Sequence, residues 1–137
     1  MDQDSRKPGH YLFEKLVSWI FLGELVRRIL VSFEENAPHA LSKSVAIGLE
    51  KPGSLNSRCL PLIEETKTND DLKKVLAENG LPLDIVKGED AETIRWVSRL
   101  VSSRAINLCA CAIAALITQS GDAGDGKDRI VVALAGE

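Results

Sequence analysis

Pro8-Gly9-His10-Tyr11-Leu12-Phe13-Glu14-Lys15-Leu16-Val17-Ser18-Trp19-Ile20-Phe21-Leu22-Gly23-Glu24-Leu25-Val26-Arg27-Arg28 is the segment on which the reading of this chain turns. Pro8-Gly9 punctuates the chain, and a helix is expected from about His10 to Glu35, ending at Asn36-Ala37-Pro38. Leu12, Phe13, Leu16, Val17, Ile20, Phe21, Leu25, Ile29 and Leu30 cover well over half of its circumference, which predicts burial on most sides. Glu24 and Arg28 stand in the favourable i, i+4 order. Glu14 falls in the first turn, where the helix dipole favours a carboxylate and where such a group is ordinarily exposed.

Working outward, residues 1–7 read as a polar lead-in. From Ala37 to Thr66 the pattern is irregular, with a turn at Lys51-Pro52-Gly53-Ser54 and a short helix from about Asn56 to Glu65. Thr68 or Asn69 caps the next helix, Asp70 and Asp71 favour its positive end, and Leu72, Val75 and Leu76 form its apolar stripe. Asn79-Gly80-Leu81-Pro82 stops it. Asp90 caps a long helix to about Thr118, with Ile94, Val97, Val101, Ala105, Leu108, Ala112 and Leu116 repeating at helical steps. The small residues of Cys109 to Ala115 permit close approach of another backbone. Residues 119–128 read as a flexible loop, and Arg129 to Leu134 as a buried C-terminal strand. One strand cannot pair with itself, so the chain reads as a piece of a larger fold or an obligate partner.

Bulk properties bound the function. At 137 residues the chain has the size of one domain, and 45% hydrophobic content can fill a core. A net charge of -3 with no dense basic run argues against a nucleic-acid surface. The polar start predicts no signal peptide. The run Leu108 to Ile117 is too short to cross a bilayer, which predicts a buried helix and no membrane partner. Cys59, Cys109 and Cys111 are an odd set and so no complete disulfide framework, and two of them are expected near a core. Cys109 and Cys111 stand roughly 200° apart around a helix and cannot grip one metal. Reduced thiols imply a cytoplasmic location.

Several features are read as structural. Gly121 to Asp128 nearly spells a phosphate loop, but Asp128 replaces the hydroxyl residue, and the segment lies between a helix and a strand, the reverse of the required order. It is a solvated loop. Trp96 is a packing residue, Glu89-Asp90 a helix cap, and His10 and His39 are surface side chains.

The opening segment resembles that of sugar-phosphorylating hexokinases, which reads Pro-Gly-x-x-Leu-(Phe/Tyr)-Glu-Lys and then Leu/Met-Gly-Glu-(Leu/Ile)-(Val/Phe)-Arg. The resemblance continues through Leu49 to Leu55, Asn79 to Pro82, Val101-Ser102-Ser103-Arg104-Ala105 with Leu108-Cys109, and Ile130 to Gly136. It implies an α/β fold, the two-lobed actin-like (ribonuclease H-like) ATPase closing on hexose and ATP with Mg²⁺. This chain would be part of the large C-terminal lobe, mostly α-helical with one C-terminal strand. It implies that Glu14 binds the hexose, two carboxylate oxygens accepting from adjacent hydroxyls. Trp19, Ile20, Lys51, Gly53 and Gly136 would lie on the nucleotide side. No catalytic or metal-ligating residue is assigned, because the family's catalytic aspartate and first phosphate loop lie upstream of the matching segment.

The chain also departs from the pattern. Ser18 and Trp19 stand where the family has glycines, Lys51 where it has threonine, Tyr11 where it has glutamine, and Ala135 where it has aspartate. Phosphoryl transfer depends on positioning and charge stabilisation, so a single-lobe piece is not expected to catalyse alone. The leading expectation is hexokinase-type phosphotransfer from ATP to a hexose such as glucose, at the entry to glycolysis, by the intact protein. The alternatives are a non-catalytic, sugar-sensing hexokinase-like protein, and a helical interaction module docking on a missing lobe or partner subunit.

Overall fold

The computed structural model describes residues 3, 7–81, 86–121 and 130–133. Among them are six helices, α1 (Leu12–Val17), α2 (Trp19–Asn36), α3 (Lys43–Gly48), α4 (Cys59–Glu65), α5 (Asn69–Glu78) and α6 (Gly88–Ser120), and no strand. The C-terminal strand expected at Arg129 to Leu134 is therefore not borne out where it is described: residues 130–133 have no regular structure and are exposed. A β-branched run becomes a strand only against another strand, and no described residue supplies one. The loop expected at 119–128 begins later, because α6 runs through Ser120 to Gly121; residues 122–129 lie outside the described part.

The single helix expected from His10 to Glu35 is two. Ser18 is extended (ψ 130°), and it closes α1 and opens α2 at once. Its amide donates to the Glu14 carbonyl at 2.6 Å and its carbonyl accepts from Phe21 at 3.0 Å, so the break leaves both ends hydrogen-bonded. The expected burial on most sides also fails for the first part. α1 has no buried residue, and Leu12, Phe13 and Leu16 are exposed. Among the described residues α1 packs chiefly on α2 and α6, and Leu12, Phe13 and Leu16 are left open to water. From Leu22 onward the helix does reach the core, but on a shifted face: Leu22, Val26 and Leu30 are buried, whereas Leu25 and Ile29, expected inside, are half-buried.

The core is one cluster. Leu22, Val26 and Leu30 of α2 meet Val45, Ala46 and Leu49 around α3, Cys59, Leu60 and Ile63 of α4, Leu72 and Leu76 of α5, and Ile94, Val97, Val101 and Ala105 of α6. α3 is absent from the sequence reading. Its six residues are too few for a periodic signal, and Ser42 at its start donates its amide and hydroxyl to the Asp90 carboxylate, at 2.6 and 2.8 Å, instead of capping. Asp90 also accepts the Lys87 amide at 2.7 Å, so the predicted helix cap doubles as a buried tie between α3 and α6. Arg95 ties α6 to α5 through Thr66, Thr68 and Asn69.

The α5 start is as expected. The Thr68 hydroxyl accepts from the Asp71 amide at 3.1 Å and donates to the Asp71 carboxylate at 2.6 Å, which holds that carboxyl below its ordinary range. Thr68→Ala is expected to cost about 1 kcal/mol, the usual value of such a cap. Urea unfolding measures it, and no loss would remove the capping role.

The apolar stripe of α6 runs longer than its cover. Ile94 to Ala105 are buried, whereas Leu108 and Ala112 are half-buried and Leu116 is 65% exposed. The buried helix expected at Leu108 to Ile117 is thus mostly open, since the core elements pack on the first half. By length and composition alone α6 could cross a membrane, contrary to the reading from the shorter run. Trp96, read as a packing residue, lies in the covered half but is exposed, on the side of the helix away from the buried Ile94, Val97 and Val101. Of the cysteines only Cys59 is in the core. Cys109 is half-buried and Cys111 exposed, which corrects the expectation of two. Burial pushes the Cys59 thiol up to about 11, so it is an inert proton-bearing core group.

Candidate functional site

The described site is built on one face of α2. Gly23 lets that face touch backbone: its amide donates to the Ser57 hydroxyl at 2.8 Å, and a Cβ there would lie 2.5 Å from the Leu55 carbonyl oxygen and 2.6 Å from the Ser57 nitrogen. The segment that precedes α4 is thereby pressed onto the helix.

One turn further on, Glu24 and Arg27 reach the turn that joins α3 to this segment. Arg27 is 6% exposed. Its Nε and Nη2 donate to the two Glu24 oxygens, each at 2.7 Å, in a bidentate pair. Its Nη1 donates to the carbonyl oxygens of Leu49 (2.7 Å) and Glu50 (3.2 Å). Glu24 also accepts from Arg28 Nε at 3.0 Å and from the Gly53 amide at 3.0 Å. The turn is closed by the Ser54 amide on the Lys51 carbonyl at 3.1 Å, and Gly53 takes φ +78°, a value that glycine adopts without strain. Lys51 and Gly53 are thus carried on a turn gripped from beneath by a part-buried ion pair, Arg27 buried and Glu24 half-buried.

Electrostatics follows the geometry. The Arg27 guanidinium, with the Gly53 amide and Arg28, holds the Glu24 carboxyl at about 2 against an ordinary 4.5, while burial opposes them. The folded value lies below the unfolded one, so the contribution to stability is complete above pH 4.5 and is lost as pH falls through 2. Thermal unfolding from about pH 7 downward should show the gap between wild type and Glu24→Gln closing below pH 4.5. A gap that stays constant would mean another group titrates.

The other predicted residues lie elsewhere on the same end of α1 and α2. Glu14 is exposed, and its carboxylate makes no hydrogen bond or ion pair with a described residue. Tyr11, just before it, takes a left-handed backbone (φ 55°, ψ 37°), a strained conformation for an aromatic residue. Trp19 and Ile20 open α2 on the far side of the Ser18 break and are exposed, Ile20 to 76%. Gly136 lies outside the described residues. An apolar groove of about 320 Å³ runs between α1, α2 and α6, lined by Leu12, Leu16, Leu25 and Arg104 among others. None of the predicted site residues lines it. No metal-binding cluster of His, Cys, Asp or Glu exists among the described residues.

Arg27 and Ser57 were missed by the sequence reading, which paired Glu24 with Arg28 alone. The i, i+3 position of Arg27, on the apolar side of α2, was the available signal.

A profile of the hexokinase family matches residues 1–137, the full length given. The chain belongs to the hexokinase family. It is 35% identical to Hexokinase-2 of Rattus norvegicus over 134 residues, which covers 95% of this chain and 14% of the relative. It is 31% identical to a glucokinase of Aspergillus niger over 131 residues, covering 88% of this chain and 26% of that protein. Hexokinase-1 of Oryza sativa subsp. japonica is 31% identical over 142 residues, with 99% and 28% covered. This hexokinase-family chain therefore spans between about a seventh and just over a quarter of these relatives' lengths. Its helices are the part of an α/β fold that they represent.

Proposed function

We propose that this chain carries a hexose-facing and a nucleotide-facing element of the large lobe of a hexokinase-type phosphotransferase. The intact protein would transfer the γ-phosphoryl group of MgATP to a hydroxyl of a hexose such as glucose, at the entry to glycolysis in the cytoplasm. The new bond joins the sugar oxygen to phosphorus, the bond from phosphorus to the ADP oxygen breaks, and the sugar proton passes to a base outside this chain. The observation that supports the reading most is the family match over residues 1–137, within which Glu14 stands as an exposed carboxylate with no described partner.

The residues present suit that division of labour. Glu14 offers two acceptor oxygens to adjacent sugar hydroxyls, and Lys51, exposed on a fixed turn, offers a point charge to a phosphate. Mg²⁺ would arrive with the nucleotide, as no described cluster holds it. The open apolar face of α6 is the seat we assign to the rest of the lobe, in place of a membrane.

Glu14→Ala in the full natural chain is expected to weaken hexose binding about tenfold to a hundredfold, the usual effect of losing charge-assisted hydrogen bonds. Calorimetric titration with glucose measures it. An unchanged affinity would take Glu14 out of the site.

A second reading is favoured by Trp19, 44% exposed at the start of α2 where the family pattern has glycine. An indole there obstructs close approach of a phosphate, which suits a sugar-sensing protein without turnover. Glucose binding with no glucose-dependent ADP release would establish that reading over the first.

A further inference from the structure

We propose that Glu24 and Arg27 are positioning residues for the nucleotide: together they set the place at which Lys51 meets the polyphosphate. The inference rests on the reading of the Leu49 to Ser54 turn as nucleotide-facing. What the structure adds is how the turn is held. Arg27 Nη1 grips its first two carbonyls, at Leu49 and Glu50, and Glu24 grips its far amide, at Gly53. Both grips come from residues already locked to each other by the bidentate pair, so the two ends of the turn are fixed to one rigid unit.

Between the grips stand Lys51 and Pro52. Pro52 has a fixed φ, and the Ser54 amide bonds the Lys51 carbonyl, so the backbone of Lys51 has little freedom left. Its ammonium group is exposed and bonds no described residue. The half-buried carboxylate of Glu24 beneath the turn is engaged by Arg27, Arg28 and Gly53 and does not capture it. Formal charges at the turn balance, Arg27 and Arg28 against Glu24 and the exposed Glu50, which leaves Lys51 as its surplus charge. A lysine on a flexible stem gains little from a phosphate unless its backbone is fixed. Here the ion pair fixes it.

The alternative is that the pair only holds the fold together, with no bearing on the ligand. A double-mutant cycle separates the two, because residues acting through one another are not additive. The cycle combines Arg27→Lys with Lys51→Ala in the full natural chain, with MgATP as the calorimetric probe. Lysine keeps the charge at position 27 but cannot serve Glu24 and two carbonyls at once. Each single change is expected to weaken MgATP about tenfold, and the double change by no more than either, with glucose affinity altered less than about twofold. Should Arg27→Lys fail to fold by circular dichroism, Glu24→Gln, which is 21% exposed, takes its place in the cycle with the same expectation.

Multiplying effects in the double variant would overturn the positioning role and leave the nucleotide reading intact. Wild-type protein that binds glucose but not MgATP would remove the nucleotide reading, and the inference with it.

Discussion

Gly23→Ala is expected to destabilise the protein by about 2–3 kcal/mol, the range for overpacking a close contact. The sign is the point of interest. In an exposed helix the same change stabilises by about 1 kcal/mol, because alanine loses less backbone entropy. Here the added methyl would lie 2.5 Å from the Leu55 carbonyl oxygen, 2.6 Å from the Ser57 nitrogen and 2.9 Å from the Asn56 carbonyl carbon. All three are backbone atoms, so no rotamer change relieves the clash. The segment has to move off α2, and the Gly23–Ser57 hydrogen bond lengthens with it. Urea unfolding of the two proteins gives the difference, and an alanine variant as stable as wild type would show that the segment yields freely.

Arg27→Leu is expected to cost about 1.5–3 kcal/mol, the range for losing hydrogen bonds to a charged group, because the pair it leaves is only part-buried. The leucine fills part of the space and replaces none of the bonds. The carbonyls of Leu49 and Glu50 lose a charged donor, and Glu24 keeps only Arg28 and the Gly53 amide. Arg27→Leu combined with Glu24→Leu should recover part of the loss, because the carboxylate that has lost its bidentate partner goes with it. Denaturant unfolding of the single and double variants tests both statements. A single variant within about 1 kcal/mol of wild type would show that water already serves these groups.

Helices with strong local punctuation were legible in the sequence. Thr68 and Asp71 at the start of α5, and the Ile94 to Ala105 stripe of α6, carry their signals in neighbouring residues, and both elements form as expected. The break at Ser18 was not legible, because an apolar run continues across it in register on both sides. α3 escaped because its start is secured by Asp90, 48 positions away. The strand expected at Arg129 to Leu134 shows the converse error in its described residues, 130–133: a local preference has no effect where no described strand pairs with it. For the site, the pattern located Glu14, Lys51 and Gly53 on exposed ground, but Arg27 beneath the turn depends on contacts 22 and 23 positions apart. Sequence reading finds the residues that could meet a ligand more readily than those that hold them still.

The uneven cover along α6 makes that helix two things in series. Up to Ala105 one face of it is sealed by the core, and the amides of Val97, Ser98 and Val101 should be among the slowest to exchange with solvent. Beyond it, the helix stands out like a cantilever, held at one end and ordered along its length by its own hydrogen bonds. A layer that closed over Ile106 to Leu116 would stiffen this arm of the helix whose first turn carries Asp90 and, through Ser42, the start of α3. On the proposed reading, cover of the α6 arm and the placing of the Leu49 to Ser54 turn are then linked through one helix and one carboxylate, Asp90.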